Sequence, residues 1–413
     1  MSRLIMMSAL ALAGGVLAVV PPAQAAAPTC QGRAATIVGT AGDDHITGTP
    51  RADVIVARGG DDVVRAGNGD DLVCGGDGAD LLRGGPGADR LYGERDGLGF
   101  DRGGSFRYPD ELSGGAGDDL LDIGGDARPT DQGGSHGIVT YESVRRGVTV
   151  DLEAGTGSGD GADRIVVQGG LQVVGTPYDD VLLGSAGADT LMGRTGGDRL
   201  EGRGGADDLA PDEPDAAPDR DVVDGGPGRD RIVAWRGRDV LRGGDGNDLV
   251  GSYSGQPSQV YGDAGDDDVF TSVTDVPGFA LDGGDGVDRG NLGSPDSGGS
   301  HGTRPPGPTL TLDVGEGTVS RSGDRAGTVA AIEAWVLGDH LRWIFYGTDG
   351  PDAVVAGYYQ PFRAWTYGGD DDVTGSGERD RIDAGDGYDT VGGQEGRDTC
   401  LNAEVVQSCE VTS

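Results

Sequence analysis

Residues 67–93 read GNGDDLVCGGDGADLLRGGPGADRLYG, with aspartate at positions 71, 80 and 89 and glycine around each one. Set out in nines, the run extends without a gap from Gly39 to Tyr92 as GTAGDDHIT, GTPRADVIV, ARGGDDVVR, AGNGDDLVC, GGDGADLLR and GGPGADRLY. The sixth position is always Asp and the eighth always Ile, Val or Leu. Glycines in the first half permit the positive φ that a tight turn needs. The last three residues are short and β-prone, with the eighth side chain pointing opposite to the seventh and ninth. Each nonapeptide therefore predicts a turn followed by a stub of strand. Two of them make one coil, with parallel strands about 4.8 Å apart between coils.

That geometry concentrates charge. Asp44, Asp62 and Asp80 fall on one edge of the stack and Asp53, Asp71 and Asp89 on the other. At about 5 Å two carboxylates repel by roughly 1 kcal/mol in water and by about 3 kcal/mol at an effective dielectric near 20. One apolar side chain per nonapeptide is a thin core to set against this. The stack thus calls for a counter-ion, and a hard divalent cation that takes six to eight oxygens suits glycine turns with carbonyls to aim and an aspartate to supply charge.

The repeats resemble the RTX, or haemolysin-type, calcium-binding nonapeptide GGxGxDxUx. The pattern returns at 114–122, 175–210, 225–251, 262–270 and 366–401, with weaker copies at 283–291 and 347–355. The resemblance implies an all-β fold, a parallel β-roll or β-solenoid, with Ca2+ shared between loops one coil apart. Carried over, the paired ligands are Asp44 with Asp62, Asp62 with Asp80, Asp53 with Asp71, Asp71 with Asp89, Asp180 with Asp198, Asp189 with Asp207, Asp230 with Asp248, Asp371 with Asp389, and Asp380 with Asp398. Asp119, Asp239 and Asp267 hold the same sixth position and complete the implied metal set. Arg51, Tyr178 and Glu378 replace the fourth-position glycine, and Ala57 and Ala66 the first. A non-glycine at positive φ costs about 1–2 kcal/mol, so strain is expected in those loops.

The whole composition agrees. The chain has 413 residues, 83 glycines, 35% hydrophobic residues and a formal net charge of -38. So negative a chain repels nucleic acid and anionic membranes and attracts cations. Arg3, the apolar run LIMMSALALAGGVLAVV and Ala23-Gln24-Ala25 form a secretory signal with a small-residue cleavage site. No other apolar run is long enough to span a bilayer. Four cysteines allow three connectivities, and the expectation is one bridge at each end of the stack, Cys30 with Cys74 and Cys400 with Cys409.

Two segments, beginning GGSHGIVTYES at Gly133 and GGSHGTRPPGP at Gly298, resemble each other and read as wider β-coils with longer strands such as GVTVDL and TLTLDV. GGSHG also fits the G-x-S-x-G nucleophile elbow, with Ser135 and Ser300 as the serines. An elbow needs a strand before it and a helix after it. The flanks DARPTDQ and NLGSPDS are loop-like, so both read as glycine-rich loops and no catalytic residue is nominated. Nine of the aromatic residues lie between Trp335 and Tyr367. They read as a hydrophobic cover, with a stacking platform for a glycan or cell-surface partner as the rival.

The domain reading is signal peptide 1–25, N-terminal cap 26–38, first repeat block 39–132, β insert 133–174, second block 175–291, second insert 292–365, and C-terminal repeats with a disulfide cap 366–413. The functional expectation is a secreted, non-enzymatic protein that folds on binding extracellular calcium, with a surface or adhesive role. The rivals are an extracellular hydrolase or toxin-like protein that uses the array as a folding scaffold, and a plain calcium buffer or spacer.

Overall fold

The computed structural model describes residues 27–95, 110–124, 137–167, 169–254, 256–273, 277–293, 308–339 and 341–412. Those residues form strands, turns and no helix, wound into a parallel β-solenoid of about 17 coils. Each nonapeptide supplies one strand, and alternate strands go to opposite faces. The first face is made by strands such as His45–Thr47, Val63–Arg65 and Leu81–Pro86. The second is made by Val54–Gly59, Leu72–Asp77 and Arg90–Arg95.

Register between coils follows the eighth position. Ile46 aligns with Val64 and Val64 with Leu82 on the first face, and Ile55 with Val73 and Val73 with Leu91 on the second. These side chains are buried and meet in one continuous core that runs the length of the stack. A slip of one residue would turn each of them outward, so the single apolar residue per repeat fixes the register.

The two inserts share one construction. On the second face, the single strand is replaced by an antiparallel meander of three: Thr149–Asp151, Thr156–Ser158 and Ala162–Val166 in the first. In the second they are Thr309–Asp313, Thr318–Arg321 and Asp324–Ala330. The chain runs ahead to pair in parallel with the coil that follows, at Val181–Leu183 and Arg342–Tyr346, and then folds back to the coil before. The first face passes these places with directly paired strands, Ile138–Thr140 with Gln172–Val174 and Arg289–Gly293 with Ala334–Leu337. Each insert thus adds two strands, about 10 Å of stack, to one face only. Longer strands were expected; TLTLDV supplies the five-residue strand Thr309–Asp313, whereas GVTVDL contributes only the three-residue strand Thr149–Asp151, the extra chain being used in doubling back.

Cys30–Cys74 and Cys400–Cys409 are both disulfide-bonded. The first pins the hairpin Thr29–Cys30/Arg33–Ala34 onto the outside of the second face, where Cys30, Val54, Leu72 and Cys74 form a small separate cluster. In the aromatic segment, Trp335, Trp343, Phe345 and Phe362 are core residues that stand where repeats carry Leu or Val. Tyr346 and Trp365 stack at 5.3 Å on the surface, and Tyr358, Tyr359 and Tyr367 are exposed.

Candidate metal centre

The sixth-position aspartates form a ladder along each edge. In the steps between consecutive repeats, one carboxylate oxygen accepts the backbone N–H of the aspartate one coil before. Asp44 donates to Asp62 at 2.7 Å, Asp62 to Asp80 at 2.9 Å, Asp53 to Asp71 at 2.7 Å and Asp71 to Asp89 at 2.8 Å. The same bond joins Asp180 to Asp198, Asp189 to Asp207, Asp230 to Asp248, Asp371 to Asp389 and Asp380 to Asp398. All nine pairs expected from the spacing therefore come into contact, and each carboxylate meets an amide rather than only its like-charged neighbour.

The second carboxylate oxygen divides the loops into two kinds. In the first kind, the residue at position two is Thr or Ser, and its backbone N–H closes onto the loop's own aspartate: Thr40 on Asp44 at 2.5 Å, Thr49 on Asp53 at 2.7 Å, Thr176 on Asp180 and Ser185 on Asp189 at 2.6 Å, Thr348 on Asp352 at 2.7 Å and Ser376 on Asp380 at 2.6 Å. The hydroxyls of Thr40, Thr49, Thr176, Ser185 and Ser376 donate to the same carboxylates. This is the local side-chain to backbone closure that Ser and Thr favour in turns. We call these loops capped.

In the second kind, position two adopts positive φ, as at Gly76, Gly85, Gly115 and Gly244, and also at Arg58, Arg194, Arg203, Asp263, Tyr367 and Gln394. That turns its N–H away from the aspartate. The outer oxygens of Asp62, Asp71, Asp89, Asp119, Asp198, Asp207, Asp230, Asp248, Asp267, Asp371, Asp389 and Asp398 are then buried with no hydrogen-bond partner. We call these loops open. Where position one is glycine the space is tight: a Cβ at Gly84 would stand 2.3 Å from Asp89 Oδ2 and 2.6 Å from the Gly114 carbonyl of the next coil. Oxygens of two coils converge beside that glycine.

The strain expected at Arg51, Tyr178 and Glu378 is absent, since none of the three has positive φ. All lie in capped loops, where the Thr or Ser closure removes the need for a left-handed fourth residue. Ala57 and Ala66 also keep negative φ and are buried, so the first position does not carry the predicted strain.

Several ladder members escape a count of nine. Asp110, Asp163 and Asp221 accept the amides of Asp80, Asp119 and Asp198 across separations of 30, 44 and 23 residues. Asp288 and Asp352 belong to the weaker copies, and they bond to Asp267 and Asp371 in register. Glu333, Glu404 and Glu410 take the acceptor place where the period breaks, receiving Asp288, Asp389 and Asp398. The weaker copies at 283–291 and 347–355 already mark Asp288 and Asp352, whereas Asp110, Asp163 and Asp221 carry only the aspartate–x–apolar signature of strands such as Asp163-Arg164-Ile165. Asp239 differs again, its outer oxygen taking the Ser258 hydroxyl at 3.3 Å. Ser135 and Ser300 lie outside the described residues, as do His136, His301 and His340.

Burial dominates the electrostatics. It pushes Asp62 up to about 6, Asp89 to about 7, and Asp198 and Asp207 to about 8, outweighing the amide each accepts. At Asp53 burial also acts upward, but the Thr49 amide and hydroxyl and the Thr36 hydroxyl overcome it and hold the carboxyl below its usual value. Asp180 and Asp189 are still raised by burial despite their caps.

A buried carboxylate oxygen without a partner is costly unless a proton or a cation meets it. Rows of them, beside converging carbonyls and with aspartate charge in hand, fit an oxygen-seeking divalent ion. Fold and site together define an acid-lined parallel β-solenoid that binds calcium. The family model for the RTX calcium-binding nonapeptide repeat, four copies long, matches residues 38–73, 75–96, 107–127, 174–209, 215–250 and 365–400. The chain carries repeats of the RTX calcium-binding family in several copies along its length. No curated protein matches it.

Proposed function

We propose that the protein is exported and non-enzymatic, and that calcium outside the cell sets its coils by entering the open loops. The observation that carries this is the row of partnerless carboxylate oxygens at Asp62, Asp71, Asp89 and their equivalents. In this reading, the open-loop aspartates Asp62, Asp71, Asp80, Asp89, Asp119, Asp198, Asp207, Asp230, Asp248, Asp267, Asp371, Asp389 and Asp398 hold the ions, joined by Asp110 and Asp288. The capped aspartates Asp44, Asp53, Asp180, Asp189, Asp352 and Asp380 close on their own loops and bind none.

An ion that binds only the folded chain adds stability as its concentration rises above its dissociation constant. Extracellular modules work near about 10⁻⁴ to 10⁻³ M calcium, so the chain would stay loose in a low-calcium cytosol and set after export. The N-terminal signal pattern and two disulfides support that route. With four of the nine aromatics of residues 335–367 in the core, a surface contact in that segment falls mainly to Tyr358, Tyr359 and Tyr367. Far-UV circular dichroism of residues 26–413, titrated with Ca2+ and separately with Mg2+, tests the reading. A cooperative coil-to-β transition with calcium alone is expected; a chain already β-folded in chelator and indifferent to calcium would overturn it.

A further inference from the structure

Between Leu209 and Val223 the chain leaves the nine-residue count, so that Asp198 reaches its ladder partner Asp221 across 23 residues where regular steps take 18. The inserted stretch, PDEPDAAPDRD from Pro211, brings in two carboxylates that no single repeat loop combines: Asp212 at the second loop position and Asp219 at the fourth. Asp212 is buried, and its Oδ2 accepts the backbone N–H groups of Trp235 and Arg236, both at 3.2 Å, while Oδ1 has no hydrogen-bond partner. Asp219 accepts the Gly196 N–H through Oδ2, and its Oδ1 is also without a partner. The two carboxylates face each other.

Asp221 and Asp239 complete the group. Carboxylate oxygens of Asp212, Asp221 and Asp239 lie within 4.8 Å of one another, and Asp221 Oδ2 is buried and partnerless. Asp212 is 5% exposed, Asp221 1% and Asp239 0%, so water does not dissipate the charge. Among the described residues no arginine forms an ion pair with any of the four. Arg236, whose backbone N–H sits on Asp212, turns its guanidinium to the Pro214 carbonyl.

We propose that Asp212, Asp219, Asp221 and Asp239 form a separate divalent-cation site, richer in charge than the repeat loops and filled before them. A repeat loop presents its sixth-position carboxylate and leans on backbone carbonyls; here side-chain carboxylates occupy the second and fourth positions of one loop together as well. More ligand charge means tighter calcium binding. The site shares its ion with the repeat loops but not their loop geometry, so the two ideas fail separately.

Trp235 gives a local probe, because its backbone amide sits on Asp212. The experiment titrates the full mature chain with Tb3+ alone and records terbium emission under tryptophan excitation, taking the difference between wild type and Trp235→Phe. Far-UV circular dichroism is followed in parallel. The Trp235-dependent emission is expected to saturate at about tenfold lower Tb3+ than the circular dichroism transition. Asp212→Asn with Asp219→Asn keeps the amide acceptors, removes two charges, and should weaken that emission step about tenfold or more while the main transition persists. Asp215→Asn, an exposed carboxylate of the same insert, should change nothing.

The proposal is overturned if the Trp235-dependent step coincides with the main transition in wild type, or if the double variant shifts no further than Asp215→Asn. Should the double variant lose the main transition, Asp219→Asn alone decides: a severalfold weaker step supports the site and an unmoved one overturns it. Loss of the main transition in wild type itself would instead count against the proposed calcium-driven folding, and the Trp235-dependent step would still report on this site.

Discussion

GTPYDDVLL at 175–183 and GGPGADRLY at 84–92 occupy equivalent turns, and both present an aspartate to the ladder, yet they close differently. In the first, Thr176 gives Asp180 an amide and a hydroxyl; in the second, Gly85 turns away at φ 115° and leaves Asp89 Oδ2 buried and alone. One residue, at the second position, decides whether a loop is finished by its own chain or waits for an ion. Capped loops come in adjacent pairs at 39–56 and 175–192, the starts of the first two blocks, and open loops follow. In the proposed reading, self-closed coils offer each of these blocks a platform that needs no calcium, onto which ion-dependent coils stack.

The largest expected effect separates the two kinds by pH in the ion-free chain. A carboxyl raised in the fold binds its proton more tightly folded than unfolded. Its stabilising contribution is complete below the unfolded value near 3.9. It is lost as pH rises through the folded values, about 6 for Asp62 and about 8 for Asp198 and Asp207. In chelator, the β signal should therefore be stronger at about pH 5 than at about pH 8.5. Calcium replaces those protons, so its affinity should rise over the same interval and binding should release acid, measurable by calorimetry in buffers of different ionisation enthalpy. Asp53 has the opposite sign: held low by Thr49 and Thr36, it contributes above the ordinary carboxylate range and is lost only in acid.

A smaller difference is expected in the backbone. Gly87 in an open loop has φ +147°, and a Cβ there would lie 1.9 Å from the Gly69 carbonyl. Gly87→Ala should destabilise the calcium-loaded chain by more than about 2 kcal/mol. Gly42, at the same fourth position of a capped loop, has no heavy atom within 4 Å of its would-be Cβ and lacks positive φ. Gly42→Ala should change stability by less than about 0.5 kcal/mol. Denaturant unfolding in saturating calcium measures both, and equal losses would erase the distinction between loops.

The smallest effect isolates the cap itself. Thr176→Ala removes the hydroxyl that Asp180 accepts at 2.9 Å and should cost about 1 kcal/mol, with the number of bound ions unchanged. Gain of an ion by that variant would mean that the hydroxyl excludes calcium rather than merely closing the turn.

The nine-residue phase was enough to read the coil, the register of Ile55, Val73 and Leu91, and the aspartate pairs, because each is set by a period that the chain repeats without interruption. The two loop classes were also written in the sequence, as Thr or Ser at the second position against glycine or another residue. They stayed hidden because the same aspartate follows in both, and a non-glycine at Tyr178 looks like strain until the Thr176 closure is known. Asp110, Asp163 and Asp221 were lost for a different reason. Their ladder partners lie 30, 44 and 23 residues away, and only three-dimensional stacking restores a contact that an insertion has pushed out of phase. The meanders are harder still, since their direction reversal depends on which flanking coil each strand pairs with.

The most direct test of the central claim counts bound calcium by native mass spectrometry on two variants of the full mature chain. One carries Asp62→Asn, Asp71→Asn, Asp80→Asn and Asp89→Asn in open loops; the other carries Asp44→Asn, Asp53→Asn, Asp180→Asn and Asp189→Asn in capped loops. The account predicts that the open-loop variant loses ions while the capped-loop variant binds as many as wild type. Equal losses from both, or none from either, would contradict it.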